Sequence, residues 1–195
     1  MNFELITEIE SYLSRKQLTE AIALCETRLR ALPETDFHAM LGCTMLAQTQ
    51  DATAWLEALY QKVVQAQPVA VLYAELNGFA FNTDEWYADG IAYPQRGPLD
   101  DLDWLGEWHR GMASAEPLVI HDMEALQEAF EEHFDLDDED APLEAARDLT
   151  YMLVILRFQE LMAQAHAAAK AQGLPWAALP VLATAHGHDF VYESA

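Results

Sequence analysis

The chain predicts an α+β fold, mostly helical, in which N-terminal antiparallel helix pairs pack on a small antiparallel sheet with a long C-terminal helix across it. Three observations predict this. Apolar residues recur at helical spacing through the first third, and after Pro68 the apolar period shifts toward two. A long helical pattern after Pro142 then gives way to two short apolar runs. The boundary at Pro68 divides the chain into a helical segment, 1–68, and an α+β segment, 69–195.

Phe3, Ile6, Ile9, Tyr12 and Leu13 share one face of a first helix, and Leu18, Ala21, Ile22, Cys25, Leu29 and Leu32 share one face of a second. Pro33 ends the second. Thr35 or Asp36 can cap a third helix carrying Phe37, Met40, Leu41 and Met45, and Asp51 a fourth through Trp55, Leu56, Leu59 and Val63. Val69 to Leu76 is a short apolar run interrupted only at Glu75, as expected of a central strand. Asn77-Gly78 is a turn pair, Phe79-Ala80-Phe81 begins a return strand, and Asn82-Thr83-Asp84 turns again. From Trp86 to Tyr93 the residues alternate, with Tyr87, Ile91 and Tyr93 on one side and Trp86, Ala88 and Ala92 on the other.

Residues 99–111 predict one short helix, Val119-Ile120 a brief strand, and His121-Asp122 the start of a helix through Met123, Leu126, Phe130 and Phe134. Asp135 to Asp140 holds five acids in six residues and reads as loop. Pro142 suits a first helical turn, and Gly173 followed by Pro175 marks the end of the long helix it opens. Leu149, Met152, Leu153, Leu156, Leu161 and Met162 form its apolar side. Val181 to Ala185, a His-Gly turn and Phe190-Val191-Tyr192 read as strand, turn and strand.

The net charge is −23, yet 52 % of the residues are hydrophobic, so the chain as a whole is not disordered. The acids are unevenly placed. Residues 75–148 hold twenty-one of the thirty-three carboxylates, three arginines and no lysine. That balance argues against direct nucleic-acid binding and against anionic membrane surfaces, since both need clustered Lys and Arg. Met1 to Glu8 lacks the basic start and apolar core of a signal peptide, and no apolar run reaches membrane-span length. Cys25 and Cys43 have neither zinc-site nor redox-motif spacing. A cytoplasmic protein is the expectation.

Aromatic residues are interleaved with those acids. Asp84, Glu85, Trp86 and Tyr87 stand at a predicted strand edge, and Asp100, Asp101, Asp103, Trp104, Glu107 and Trp108 follow. In a helix Trp104 and Trp108 share a face. Negative charge steers a basic protein partner inward, and desolvated rings then supply affinity, so these ten residues are the candidate partner-binding set. The alternative places the tryptophans in the core with the acids on the solvated side. His186-Gly187-His188-Asp189 is the most suggestive metal-like pattern, since His at i, i+2 on a strand share a face, and it leaves a metal-dependent enzyme as a further alternative; a polar turn between two apolar strands is the simpler explanation. No nucleophile elbow, phosphate loop, dinucleotide fingerprint or metalloprotease motif is present, so neither catalysis nor a cofactor is expected.

Two resemblances bear on these residues. Tyr12, Ala21, Cys25 and Pro33, then Leu41-Gly42, Met45 and Ala54, resemble degenerate tetratricopeptide repeats at a spacing of 34 to 35 residues, although Gln61 replaces a small residue and Pro68 falls late. That resemblance implies a helical adaptor that grips a peptide. The run from Glu75 to Tyr87, with Ala92-Tyr93 and Asp103-Trp104-Leu105, resembles bacterial polymorphic-toxin immunity proteins. That resemblance implies an acidic cytosolic inhibitor, encoded beside a secreted toxin, that neutralises it by occlusion.

Overall fold

Helices α1 (Phe3–Ser14) and α2 (Leu18–Arg30) pair across a tight turn in which Lys16 takes a φ of 60°. The computed structural model describes residues 3–134 and 141–195; the acid-rich run 135–140, expected to be loop, lies outside the described residues. The third predicted helix does not form. Thr35 opens a 3-10 turn, Asp36–Met40, where its amide donates to His38 Nδ1 at 3.1 Å. Phe37 and Met40 are driven into the core, and Gly42, at a φ of 83°, breaks any continuation. A second 3-10 turn, Leu46–Gln48, leads into α3 (Thr49–Val64).

Strand β1 (Val71–Leu76) pairs antiparallel with β2 (Tyr87–Tyr93), which pairs antiparallel with β3 (Leu118–Val119). The connection between β1 and β2 is a ten-residue loop rather than a tight hairpin with a return strand at Phe79. Asn77 organises it, its side chain donating to the Glu85 carbonyl at 3.0 Å and accepting from the Tyr87 amide at 3.3 Å. Helix α4 (Glu124–Glu132) starts two residues later than His121-Asp122 suggested, because Asp122 sits at a φ of 63°.

Helix α5 (Ala141–Gln172) is the backbone of the core, as expected, and lies across the sheet. Its burial is wider than one apolar side: every residue from Leu149 to Leu156 is buried. A helix enclosed between α2, α3 and the sheet needs apolar residues all round. Gly173, at a φ of 67°, ends it.

Strands β4 (Val181–Ala185) and β5 (Tyr192–Ser194) complete a sheet of order β3-β2-β1-β4-β5. The fold is α+β, but the sheet is mixed where an all-antiparallel one was expected. Strand β4 runs parallel to β1, with Leu72 opposite Val181 and Leu76 opposite Ala185. The long α5 carries the chain back along the sheet, so β4 enters from the end where β1 begins.

Strand alternation separates two buried clusters. Leu72, Ala74, Leu76, Ala88, Ala92, Val181 and Ala183 face the helices, in a cluster with residues from both the 1–68 and 69–195 segments. Val71, Tyr73, Ile91, Tyr93, Met112 and Leu182 form a smaller cluster on the opposite face. Buried polar groups tie elements together. The Gln159 amide donates to the Ala183 and Phe190 carbonyls, and Gln48 brackets β3 through the Val119 carbonyl and the His121 amide. Arg157 joins α5 to α2 through Glu26 at 2.7 Å, with Glu160 at 2.8 Å.

Candidate functional site

The ten candidate residues do not form one surface. Trp86 immediately precedes β2 and Tyr87 begins it, while Trp104 packs on Tyr93 at the strand's far end, about 20 Å from Tyr87 at ~3.3 Å per strand residue. Contrary to the partner-binding reading, Trp86 is not available to a partner: it is 0 % exposed and belongs to the core. Its ring lies 5.2 Å from that of Phe79 and 6.1 Å from that of Phe130, and its indole N–H donates to the Phe79 carbonyl at 3.1 Å. Tyr87 is half-buried; Asp84 and Glu85 beside it are exposed.

At the far end the predicted helix is also absent. Only Asp103–Gly106 forms a 3-10 turn, so Trp104 and Trp108 do not share a helical face. Trp104 lies half-buried over Gly97, where a Cβ would meet its ring at 2.3 Å, and it donates to the Pro98 carbonyl at 2.9 Å. The Tyr93 hydroxyl donates to the Leu105 carbonyl. Trp104 therefore covers the smaller cluster. Trp108 remains 49 % exposed, and Asp100, Asp101, Asp103 and Glu107, which precede it in the chain, are all exposed as well.

The other end of the sheet carries features that the sequence reading passed over. Phe81 is 68 % exposed and Phe134 is 47 % exposed, their rings 5.9 Å apart and edge to face. The sequence pattern predicts a return strand beginning Phe79-Ala80-Phe81 and an apolar helix face that includes Phe134; both rings instead face solvent. Beside the pair opens a cleft of about 430 Å³ at the carboxyl ends of β1 and β4, the two parallel strands. Clefts form readily there, because the helix and loops that leave the strands diverge. Phe81, Tyr151, Arg147, Glu144, His186 and His188 are among its walls.

His186 and His188 do not converge on one point. His186 Nδ1 pairs with Glu75 at 3.0 Å, whereas His188 Nε2 shares a 2.9 Å hydrogen bond with the Tyr151 hydroxyl. Burial lowers the His188 pKa and raises that of Tyr151, so both are neutral near pH 7 and act as a hydrogen-bonding wall. Deeper in the protein, the His166 ring stacks on Trp176 and bonds to Ser194 and the Ala177 carbonyl; burial lowers its pKa too.

The two histidines set a pH dependence. The unfolded chain binds a proton at each near the ordinary value of 6.5, and the folded chain only at lower pH. Stability is therefore lost as pH falls from about 6.5 through the lowered folded values. His188→Gln is expected to flatten this part of the stability curve in urea titrations between pH 7 and 5. The Glu26 carboxyl acts in a separate, more acidic window. Burial alone would raise its pKa, but the hydrogen bonds and positive charges of Arg30 and Arg157 together lower it, so its contribution goes as pH falls below the ordinary 4.5.

No helix among the described residues is long and apolar enough to cross a membrane. Comparison with family models, curated proteins and solved structures finds no match to this chain.

Proposed function

We propose that this protein binds a basic protein partner, as an immunity-type inhibitor that occludes a cationic toxin or effector domain. The exposed Phe81–Phe134 pair carries the reading. Two phenylalanines in contact with each other and open to water are costly on a solvated surface, and such patches mark docking sites. Exposed acids stand in the adjoining chain: Asp84 and Glu85 after Phe81, Glu131 and Glu132 before Phe134, and Glu144 on the cleft wall. The acids supply long-range attraction, and the rings supply the desolvated contact that holds the complex. Trp108 with Asp100, Asp101, Asp103 and Glu107 offers a second, smaller patch of the same chemistry. The resemblance of residues 69–110 and the C-terminal strands to immunity proteins agrees with this partner class.

Affinity capture on the immobilised chain at low salt tests the reading. The expected catch is a protein domain of isoelectric point above about 9, released as salt is raised. Recovery of acidic proteins alone, or of small molecules alone, overturns it.

A further inference from the structure

We propose that Asp36, Glu132 and His133 form a binding site for a divalent transition-metal ion, Zn²⁺ foremost. One ligand atom from each lies within 4.8 Å of the other two. His133 Nε2 and Asp36 Oδ2 are 3.2 Å apart. Tetrahedral zinc with bonds of about 2.0–2.2 Å sets its ligands roughly 3.4 Å from one another, so this pair already has the required separation. A movement of at most about 1.4 Å by the exposed Glu132 carboxylate completes three ligands, leaving the fourth position to water.

The backbone under the site is anchored before any metal arrives. Asp36 precedes Phe37, and His133 follows α4, whose Phe130 ring lies 5.2 Å from the Phe37 ring. Phe37 also packs on the His133 imidazole at 5.6 Å, and the Phe37 carbonyl accepts a hydrogen bond from Thr150 on α5. Ligands on fixed elements lose little entropy on binding.

The electrostatics also call for a cation. Two carboxylates meet at the carboxyl end of α4, where the helix dipole adds further negative potential. Among the described residues, neither carboxylate has a Lys or Arg partner; the imidazole is the only counter-group. An imidazole with two carboxylates is a borderline donor set, which favours zinc over Mg²⁺ or Ca²⁺. The site adjoins the docking surface proposed above and does not depend on it.

Calorimetric titration of the full chain with zinc chloride, at a salt concentration that screens diffuse binding, tests this. One equivalent of tight binding is expected. His133→Gln and Asp36→Asn should each weaken it at least tenfold, with urea midpoints confirming that the variants fold. Glu132→Gln, at an exposed position, should weaken it as well. His186→Gln with His188→Gln should leave it intact. Absence of stoichiometric binding overturns the assignment. So does binding that survives His133→Gln, or that Ca²⁺ displaces at equal concentration, since either marks association with the acidic surface at large.

Discussion

Trp86→Ala is expected to destabilise the protein by about 3–5 kcal/mol, the range for removing a large aromatic from a packed core. The ring has no exposed surface and lies within an aromatic cluster, against Phe79 and Phe130, with Phe79 in turn 4.6 Å from Tyr151. Its loss also leaves the Phe79 carbonyl without the indole N–H that satisfies it, which adds a desolvation cost. For a domain of ordinary stability, about 5–15 kcal/mol, that is a large share of the total. Urea unfolding measures it. Trp108→Ala, at a position half open to solvent, should stay within about 0.5 kcal/mol. Equal effects of the two substitutions would contradict the division of these tryptophans between core and surface.

The second large effect is on binding. Phe81→Ala with Phe134→Ala should raise the dissociation rate of the captured partner about 100-fold or more, as expected when two contacting hot-spot rings are lost. Stability should change little by comparison, because both rings are largely exposed. The association rate should hardly move, since the acids that steer the encounter remain. Substituting Asn for Asp84 and Gln for Glu85 and Glu131 should do the reverse, slowing association with little change in dissociation. Surface plasmon resonance separates the two rates. A double phenylalanine variant that binds as wild type does would place the contact elsewhere, with Trp108 and its neighbouring acids the next surface to test.

Much of the fold was legible because it depends on local periodicity. The alternation from Trp86 to Tyr93 separated Trp86, Ala88 and Ala92 from Ile91 and Tyr93, and the two sets do occupy opposite faces of the sheet. The same alternation held the signal that Trp86 is core, since it shares a side with two alanines that can only be packed over. Gly173 and Pro175 fixed the end of the long helix for reasons of backbone conformation alone. The parallel β1–β4 pair was not legible. Register between strands over a hundred residues apart depends on where α5 delivers the chain, and no local pattern encodes that. A clue lay in the largely apolar make-up of both strands, each interrupted by a single polar residue, Glu75 and Thr184, which suits central strands buried on two faces.

The candidate site was less legible than the fold. The six acids of the candidate set are exposed, but composition could not tell an exposed ring from a buried one. Phe81 and Phe134 are separated by more than fifty residues and meet only in the tertiary structure. Asp36 and His133 are further apart still. Trp104 and Trp108 lost their shared face because Gly106 and Gly111 lie in a segment too short and irregular to hold a helix.

The most direct measurement is the association rate of the captured partner as a function of ionic strength. Between about 0.01 M and 0.15 M salt the screening length shrinks from roughly 30 Å to 8 Å, which removes most long-range attraction. If the acidic surface draws in a cationic partner, the association rate should fall tenfold or more over that range while the dissociation rate changes far less. An association rate that is flat, or that rises with salt, would contradict the account.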